Sequence, residues 1–419
     1  MKHGYRKTVI SFSHTNYCVR SAGTEKFIRN ISCELNKEGY SHLNIFSFYD
    51  DGVNRGKKQF GINLDDRFIG IYKYVDLHKA IESILSKNRL CVSTIHLQHL
   101  LHHDLDAISS IIKNYRVPVV VFAHDFFLFC KNPNLINSNG EYCGTQSPEK
   151  SKCSLCKYYD IVNPHLARTK SFFSSISQYL SAIITPSDFV ADAFRATFKE
   201  YKHLIVVRPH LVLEGNRVYR AISTKVKIGF AGGQITAKGY EEWKKLISTL
   251  DNSVYEFYYL GTGKEVLPHV NNIYVSTSEE GEYAMIEALR DKEIVIAFLW
   301  PLCSETYSYV FYELAVNGVF IISNKNSGNV CKEIQTKNNG ITFESFSECL
   351  QWFSDYENVI KVVNKFRVNQ GFHPERYSVN ADLTNIVIEE NNYSAQEMKC
   401  SCKLLHSLAY RIKYRDYLK

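Results

Sequence analysis

The chain has 419 residues, too many for one ordinary hydrophobic core and suited to two domains of roughly 200 residues each. Its 45% hydrophobic and 22% charged residues are a globular profile and exclude a largely disordered chain. A formal net charge of +7 favours anionic ligands or an acidic membrane surface and is too mild for a nucleic-acid binder. No stretch reads as a secretory signal or a membrane span. Twelve cysteines in such a chain are expected to be mostly free thiols in a reducing cytoplasm, with contact at the inner face of a membrane left open.

In chain order, 7–13 reads as a first strand and 14–21 as the loop at its C-terminal end. Ser21-Ala22-Gly23-Thr24-Glu25 then opens a helix over 26–38, with Phe27, Ile31 and Leu35 at helical spacing. Gly23 at a strand-to-helix turn either lets backbone amides approach a ligand or serves a tight packed turn. Strands at 42–48, 91–97 and 117–123 alternate with helices at 77–86 and 105–114. That alternation makes an open parallel sheet whose ligands sit at the strands' C-terminal edge. His124 ends the third of those strands, where it can orient a hydroxyl or act as acid or base. His96 near the end of the preceding strand is a second candidate.

The loop over 129–159 breaks the pattern and holds Cys130, Cys143, Cys153 and Cys156 at C-x12-C-x9-C-x2-C spacing. Two readings stay open, a tetrahedral structural zinc on four thiolates or free loop cysteines. A helix at 168–181, a strand at 182–186, a helix from Asp188 capped by Ser187, and a strand at 204–207 complete a first domain over 1–210. Polar residues to Lys225 read as the linker to a second domain over 211–395.

The second domain opens with a strand at 226–230 and the turn Gly232-Gly233, where backbone amides approach phosphate, with Lys238 as a compact cation. A strand at 255–259 ends near Gly261. The apolar run 294–299 reads as a buried parallel strand ended by Pro301, which has no N–H for a ladder. After it come Ser304, Glu305, Thr306, Tyr307, Ser308 and Tyr309, then Glu313 eight residues beyond Glu305. Ser304 or Thr306 is expected to cap a helix whose first turn carries 307–310, so that its N-terminal amides attract a diphosphate. The tail 396–419 reads as a basic amphipathic helix with Leu404, Leu405, Leu408, Ile412 and Leu418 as its apolar set. It either packs back on the first domain or meets anionic lipid.

The Glu305-x7-Glu313 motif after a buried strand, continuing as Leu314-Ala315-Val316-Asn317-Gly318-Val319-Phe320-Ile321-Ile322, resembles the donor site of family 4 retaining glycosyltransferases. Leu314 and Val316 stand where that family usually has Ala, and Phe320 where it has Pro. The resemblance implies the GT-B fold, two Rossmann-like domains facing a cleft. It implies that Glu305, His124 and Lys238 are catalytic and that Gly23, Gly232, Gly233, Gly261, Tyr307, Ser308, Tyr309 and Glu313 bind the donor. Glu305 would hold sugar hydroxyls, Glu313 the ribose and Lys238 the diphosphate. Gly233 takes the place of the family's usual Arg, a gap that Arg20 could fill.

The expected activity is therefore transfer of a sugar, with retention, from a nucleotide diphosphate sugar to a glycan or lipid-linked acceptor, in bacterial surface polysaccharide biosynthesis by analogy. No cofactor is expected for catalysis. Two other classes stay open: a sugar-nucleotide epimerase of the same fold, and a non-catalytic partner that binds nucleotide or glycan.

Overall fold

The computed structural model describes residues 5–48, 59–140, 142–145, 153, 156, 159–222, 225–369, 373–385 and 403–418. The first half forms an eight-stranded sheet. Its strands are β1 (Arg6–Ser13), β2 (Ser41–Phe48), β3 (Gln59–Leu64), β4 (Arg67–Lys73), β5 (Leu90–Leu97), β6 (Val119–Phe122), β7 (Leu180–Thr185) and β8 (Ile205–Val207). Their spatial order is β4-β3-β2-β1-β5-β6-β7-β8, parallel except where β3 pairs with β2 and β4. A short strand β9 (Leu211–Glu214) follows within the expected linker.

The second half forms a six-stranded parallel sheet from β10 (Val226–Ala231), β11 (Tyr255–Gly261), β12 (Val270–Tyr274), β13 (Ile296–Phe298), β14 (Phe320–Asn324) and β15 (Gly340–Phe343). Its order is β12-β11-β10-β13-β14-β15. Each sheet carries helices on both faces and has apolar clusters on either side of it, so the chain has two Rossmann-like domains. A last strand β16 (Arg376–Val379) pairs antiparallel with β9. Leu383 beyond it is buried among residues of the first domain.

The parallel strands form where apolar runs are buried on both faces, as for Val119 to Phe122 and Ile296 to Phe298. The β3–β4 hairpin departs from the expected strand–helix alternation. Asp65 and Asp66 join its strands with φ of 48° and 66°, the left-handed pair that a tight hairpin turn needs and that Asp tolerates.

The Leu404–Lys413 helix lies against this hairpin. Its packing face includes Ser407 and Tyr410, and Leu418 of the expected apolar set packs on the same cluster, whereas Leu408 and Ile412 of that set are 52% and 65% exposed. Tyr410 rests on Phe46, Phe48 and Phe68, and a large ring filling an aromatic cluster outweighs two aliphatic side chains. Lys403 N–H donates to Ile71 O at 2.6 Å, and Ile71 N–H donates to Ser407 Oγ at 2.9 Å. Arg411 donates to Phe68 O. No described helix is long and apolar enough to cross a membrane.

The first domain buries several neutral histidines. Burial pushes the ring pKa of His42 to about 4 and those of His96, His103 and His124 to about 3. An unfolded chain takes protons on these rings near pH 6.5 while the folded one does not. Stability is therefore present above pH 6.5 and lost as pH falls towards these values, by about 1.4 kcal/mol per pH unit for each ring. The midpoint of urea unfolding is expected to fall steadily from pH 7.5 to 5; a flat profile would refute this reading.

Candidate active site

β13 ends and Leu299 N–H still donates to Ile322 O at 2.9 Å, after which Pro301 turns the chain out of the sheet. The turn is tied down from two sides. Leu302 N–H donates to Ala237 O at 2.9 Å, which docks the 3-10 turn Thr236–Lys238 on it. Gly239, with φ of 82°, lies so close to Trp300 that an added Cβ would stand 2.1 Å from the Trp300 carbonyl oxygen. That contact excludes any other residue and puts Lys238 over the turn. Lys238 Nζ pairs there with Glu305 Oε1. Burial of the ammonium opposes its charge, yet the Glu305 carboxylate outweighs that and holds the Lys238 pKa above the usual lysine value.

Glu305 is fixed through its backbone. Its N–H donates to Ser327 O at 3.2 Å, and its carbonyl accepts from Asn329 N–H at 2.9 Å. Gly328 between them passes with φ of 65°, and a Cβ there would lie 2.7 Å from Glu305 O. The 327–329 segment thus clamps Glu305 from both sides of its peptide, a contact that no local spacing announces.

The helix after Glu305 starts later than expected. Ser308, not Ser304 or Thr306, caps it by accepting from Phe311 N–H at 3.3 Å, and the helix spans Tyr309–Ala315. Glu305 therefore sits on the preceding loop. Ser304 Oγ instead donates to Asn326 O, and Thr306 Oγ1 donates to His124 O at 2.6 Å in the first domain. Ser187 Oγ in turn donates to Thr306 O at 3.1 Å. Two first-domain residues thus grip the residue next to Glu305, and His124 lies beside it.

His124 is buried, and its Nε2–H donates to Gln98 Oε1 at 2.8 Å. With its pKa near 3 the ring is neutral, which suits orienting a neighbour and removes the acid role near neutral pH. His96 is buried in the sheet, edge-on to Phe122 with ring centroids 5.1 Å apart.

The expected donor residues divide. Gly232 and Gly261 meet at the ends of β10 and β11, where the Gly232 carbonyl accepts from Tyr259 OH at 2.9 Å; Gly233 beside them is exposed. Gly23 faces the Tyr309 ring across the cleft at 3.8 Å from its Cβ direction. Tyr307 does not line this space. It is buried against His210 (4.2 Å between ring centroids) and accepts from Leu211 N–H at 2.9 Å, so it anchors the linker. Ser308 is spent on its cap. Arg20, the cation that could fill the gap at Gly233, is exposed and forms no ion pair among the described residues.

Glu313 is the largest departure. It is buried, and Lys26 Nζ from the Gly23–Lys37 helix pairs with it at 3.1 Å across the cleft. Lys26 also donates to Tyr377 OH at 3.3 Å and lies 4.8 Å from the Tyr309 ring centroid. Burial raises the Glu313 pKa, and Lys26 holds part of that rise back. The carboxylate expected to face ribose is therefore engaged by a cation that sequence reasoning passed over.

Cys130, Cys143, Cys153 and Cys156 are free thiols. Burial pushes the Cys130 thiol up to about 11; the Asn132 N–H it accepts from opposes that rise, and the other three loop thiols add to it. Among the described residues, however, no group of three or more His, Cys, Asp or Glu is set closely enough to hold a metal ion.

No family model and no curated protein matches this sequence. Its fold is similar to that of solved structures. Sucrose-phosphate synthase from Thermosynechococcus elongatus aligns at a TM-score of 0.55 and 8% identity over 98% of this chain and 99% of that one. A glycosyltransferase from Rickettsia africae ESF-5 aligns at 0.51 and 11% identity over 87% and 92%. At such identities the likeness establishes the fold, which is the GT-B arrangement of two Rossmann-like domains.

Removing Lys26 while keeping Glu313 strands a buried carboxylate. Lys26→Met is expected to cost about 3–5 kcal/mol in denaturant unfolding, and adding Glu313→Gln to recover most of it. A K26M protein as stable as the parent refutes the pair's structural weight.

Proposed function

We propose that the protein is a retaining glycosyltransferase that moves a sugar from a nucleotide diphosphate sugar to a glycan or lipid-linked acceptor. The observation that carries this reading is the Lys238–Glu305 pair, held on a backbone-clamped loop whose next residue is bonded to His124 across the cleft. The fold neighbours, one a sucrose-phosphate synthase and one a glycosyltransferase, support sugar transfer. On binding, the donor diphosphate takes the Lys238 ammonium, and the freed Glu305 carboxylate accepts hydrogen bonds from donor-sugar hydroxyls. Lys238 then stabilises charge that grows on the leaving diphosphate. Neutral His124 orients the reacting face. Glu313 serves ribose once Lys26 moves off it. Family 4 membership, front-face departure and attack, and a role in surface polysaccharide synthesis in the cytoplasm belong to the same proposal. Exposed Leu408 and Ile412, on a helix that also exposes Arg411 and Lys413, are the patch we assign to the inner membrane face.

A second reading has its own observation. Gly233 in place of an arginine, and Glu313 held by Lys26, favour a non-catalytic partner that binds nucleotide or glycan. Incubating the protein with a panel of nucleotide sugars separates the readings. Slow release of free sugar and nucleotide supports the transferase, a new sugar nucleotide an epimerase, and binding without turnover the partner. With the active donor, Glu305→Gln and Lys238→Ala are each expected to lower turnover about 10²-fold or more at unchanged thermal stability. Full activity in E305Q refutes the role of Glu305.

Structural zinc on the four loop thiols is a separate proposal that rests on their C-x12-C-x9-C-x2-C spacing alone. Metal analysis of purified protein is expected to give one zinc per chain, lost in a Cys153→Ser, Cys156→Ser double variant. Metal-free folded protein removes it.

A further inference from the structure

Beside the His124 wall the first domain holds a cavity of about 330 Å³ between the β5 and β6 loops and the Tyr159–Ile176 helix. Its walls are Leu100, Leu101, Leu105, Phe127 and Leu128. Its polar lining is one-sided in charge: Lys131 and Arg168, with His102, His103 and His165. Among the described residues no carboxylate lines it. Asp125 accepts from His99 and from Phe127 N–H, and Asp104 caps the Leu105–Tyr115 helix. Among the described residues neither Lys131 nor Arg168 forms an ion pair, and both line the cavity while remaining exposed. Two unpaired cations beside an apolar hollow can bind an anion whose chain the hollow covers.

The cavity adjoins the candidate active site. A smaller hollow lined by Gln98, His99, His124 and Asp125 shares Leu100, Phe127 and Leu128 with it. In that hollow Gln98 is buried, and its Nε2 has no hydrogen-bond partner among the described residues. A volume near 330 Å³ lies at the low end for small-molecule sites, about 300–1,000 Å³, and admits a phosphate with a short length of chain.

We propose that this cavity binds an anionic amphiphile, a phosphate ester on Lys131 and Arg168 with its apolar chain against Leu101, Leu105 and Phe127. Resting on the sugar-transfer reading, the ligand is the acceptor, anchored here so that its hydroxyl reaches the His124 side.

Calorimetric titration of the full chain with octyl phosphate tests the site without turnover. Saturable binding is expected, weakened at least tenfold in a Lys131→Gln, Arg168→Gln double variant. Octyl glucoside and inorganic phosphate are each expected to bind at least tenfold more weakly than octyl phosphate. Octyl glucoside binding as tightly overturns the role of charge, and inorganic phosphate binding as tightly overturns the role of the chain. Unchanged affinity in the double variant, or no binding to the parent, overturns the site. Nucleotide binding by the double variant is expected to match the parent. If octyl phosphate binds as predicted while no nucleotide sugar binds or turns over, the cavity stands and the donor reading fails.

Discussion

A carboxylate buried as deeply as Glu313 cannot stay ionised alone, and its partner comes from the other domain. Lys26 supplies that charge from the first helix, with Tyr309 and Tyr377 around it to shield the pair from water. Because an ion pair tolerates little separation in so dry a place, this contact helps set how near the two sheets stand. Thr306 of the second domain holds the same seam through Ser187 and His124 of the first, and His210 fills it between Phe27 and Tyr307. The cleft is therefore a closed joint with a charge at its centre. Opening it means separating that charge or giving it another partner.

The Lys238–Glu305 pair is of a different kind. Its Lys238 end is half open to solvent while Glu305 is mostly covered, and its positions come from short backbone contacts at Gly239 and Gly328. Such a pair is easily exchanged for a ligand's phosphate and hydroxyls. One pair supports the domain arrangement and the other stands at the proposed donor site, and the seven-residue helix Tyr309–Ala315 lies between them.

Much of this was legible in the residues. Parallel strands buried on both faces announce themselves as apolar runs, and Lys238 and Glu305 each follow such a run at a readable offset. What escaped was non-local or depended on backbone angles. Lys26 and Glu313 are 287 residues apart, and no spacing rule joins them. β9 and β16 are four residues each and have meaning only together. Three hydroxyl residues within five positions, Ser304, Thr306 and Ser308, competed for one cap, and the turn after Pro301 decided among them. The Asp65-Asp66 turn was a local signal for a hairpin, overlooked because the surrounding pattern was read as strand and helix only. His124 was correctly placed at a strand end, but its neutrality follows from burial, which the sequence alone does not measure.

The hairpin has a further consequence at its outer strand. β4 is the border of the eight-stranded sheet, with a row of amide and carbonyl groups that would accept a strand from any neighbouring chain. Lys403, Ser407 and Arg411 occupy several of those groups, so the last helix acts as a cover against intermolecular pairing. The cover comes from far along the chain, Ser407 lying 336 residues after Ile71. Until the second domain and this helix have been made, the first domain has an open border.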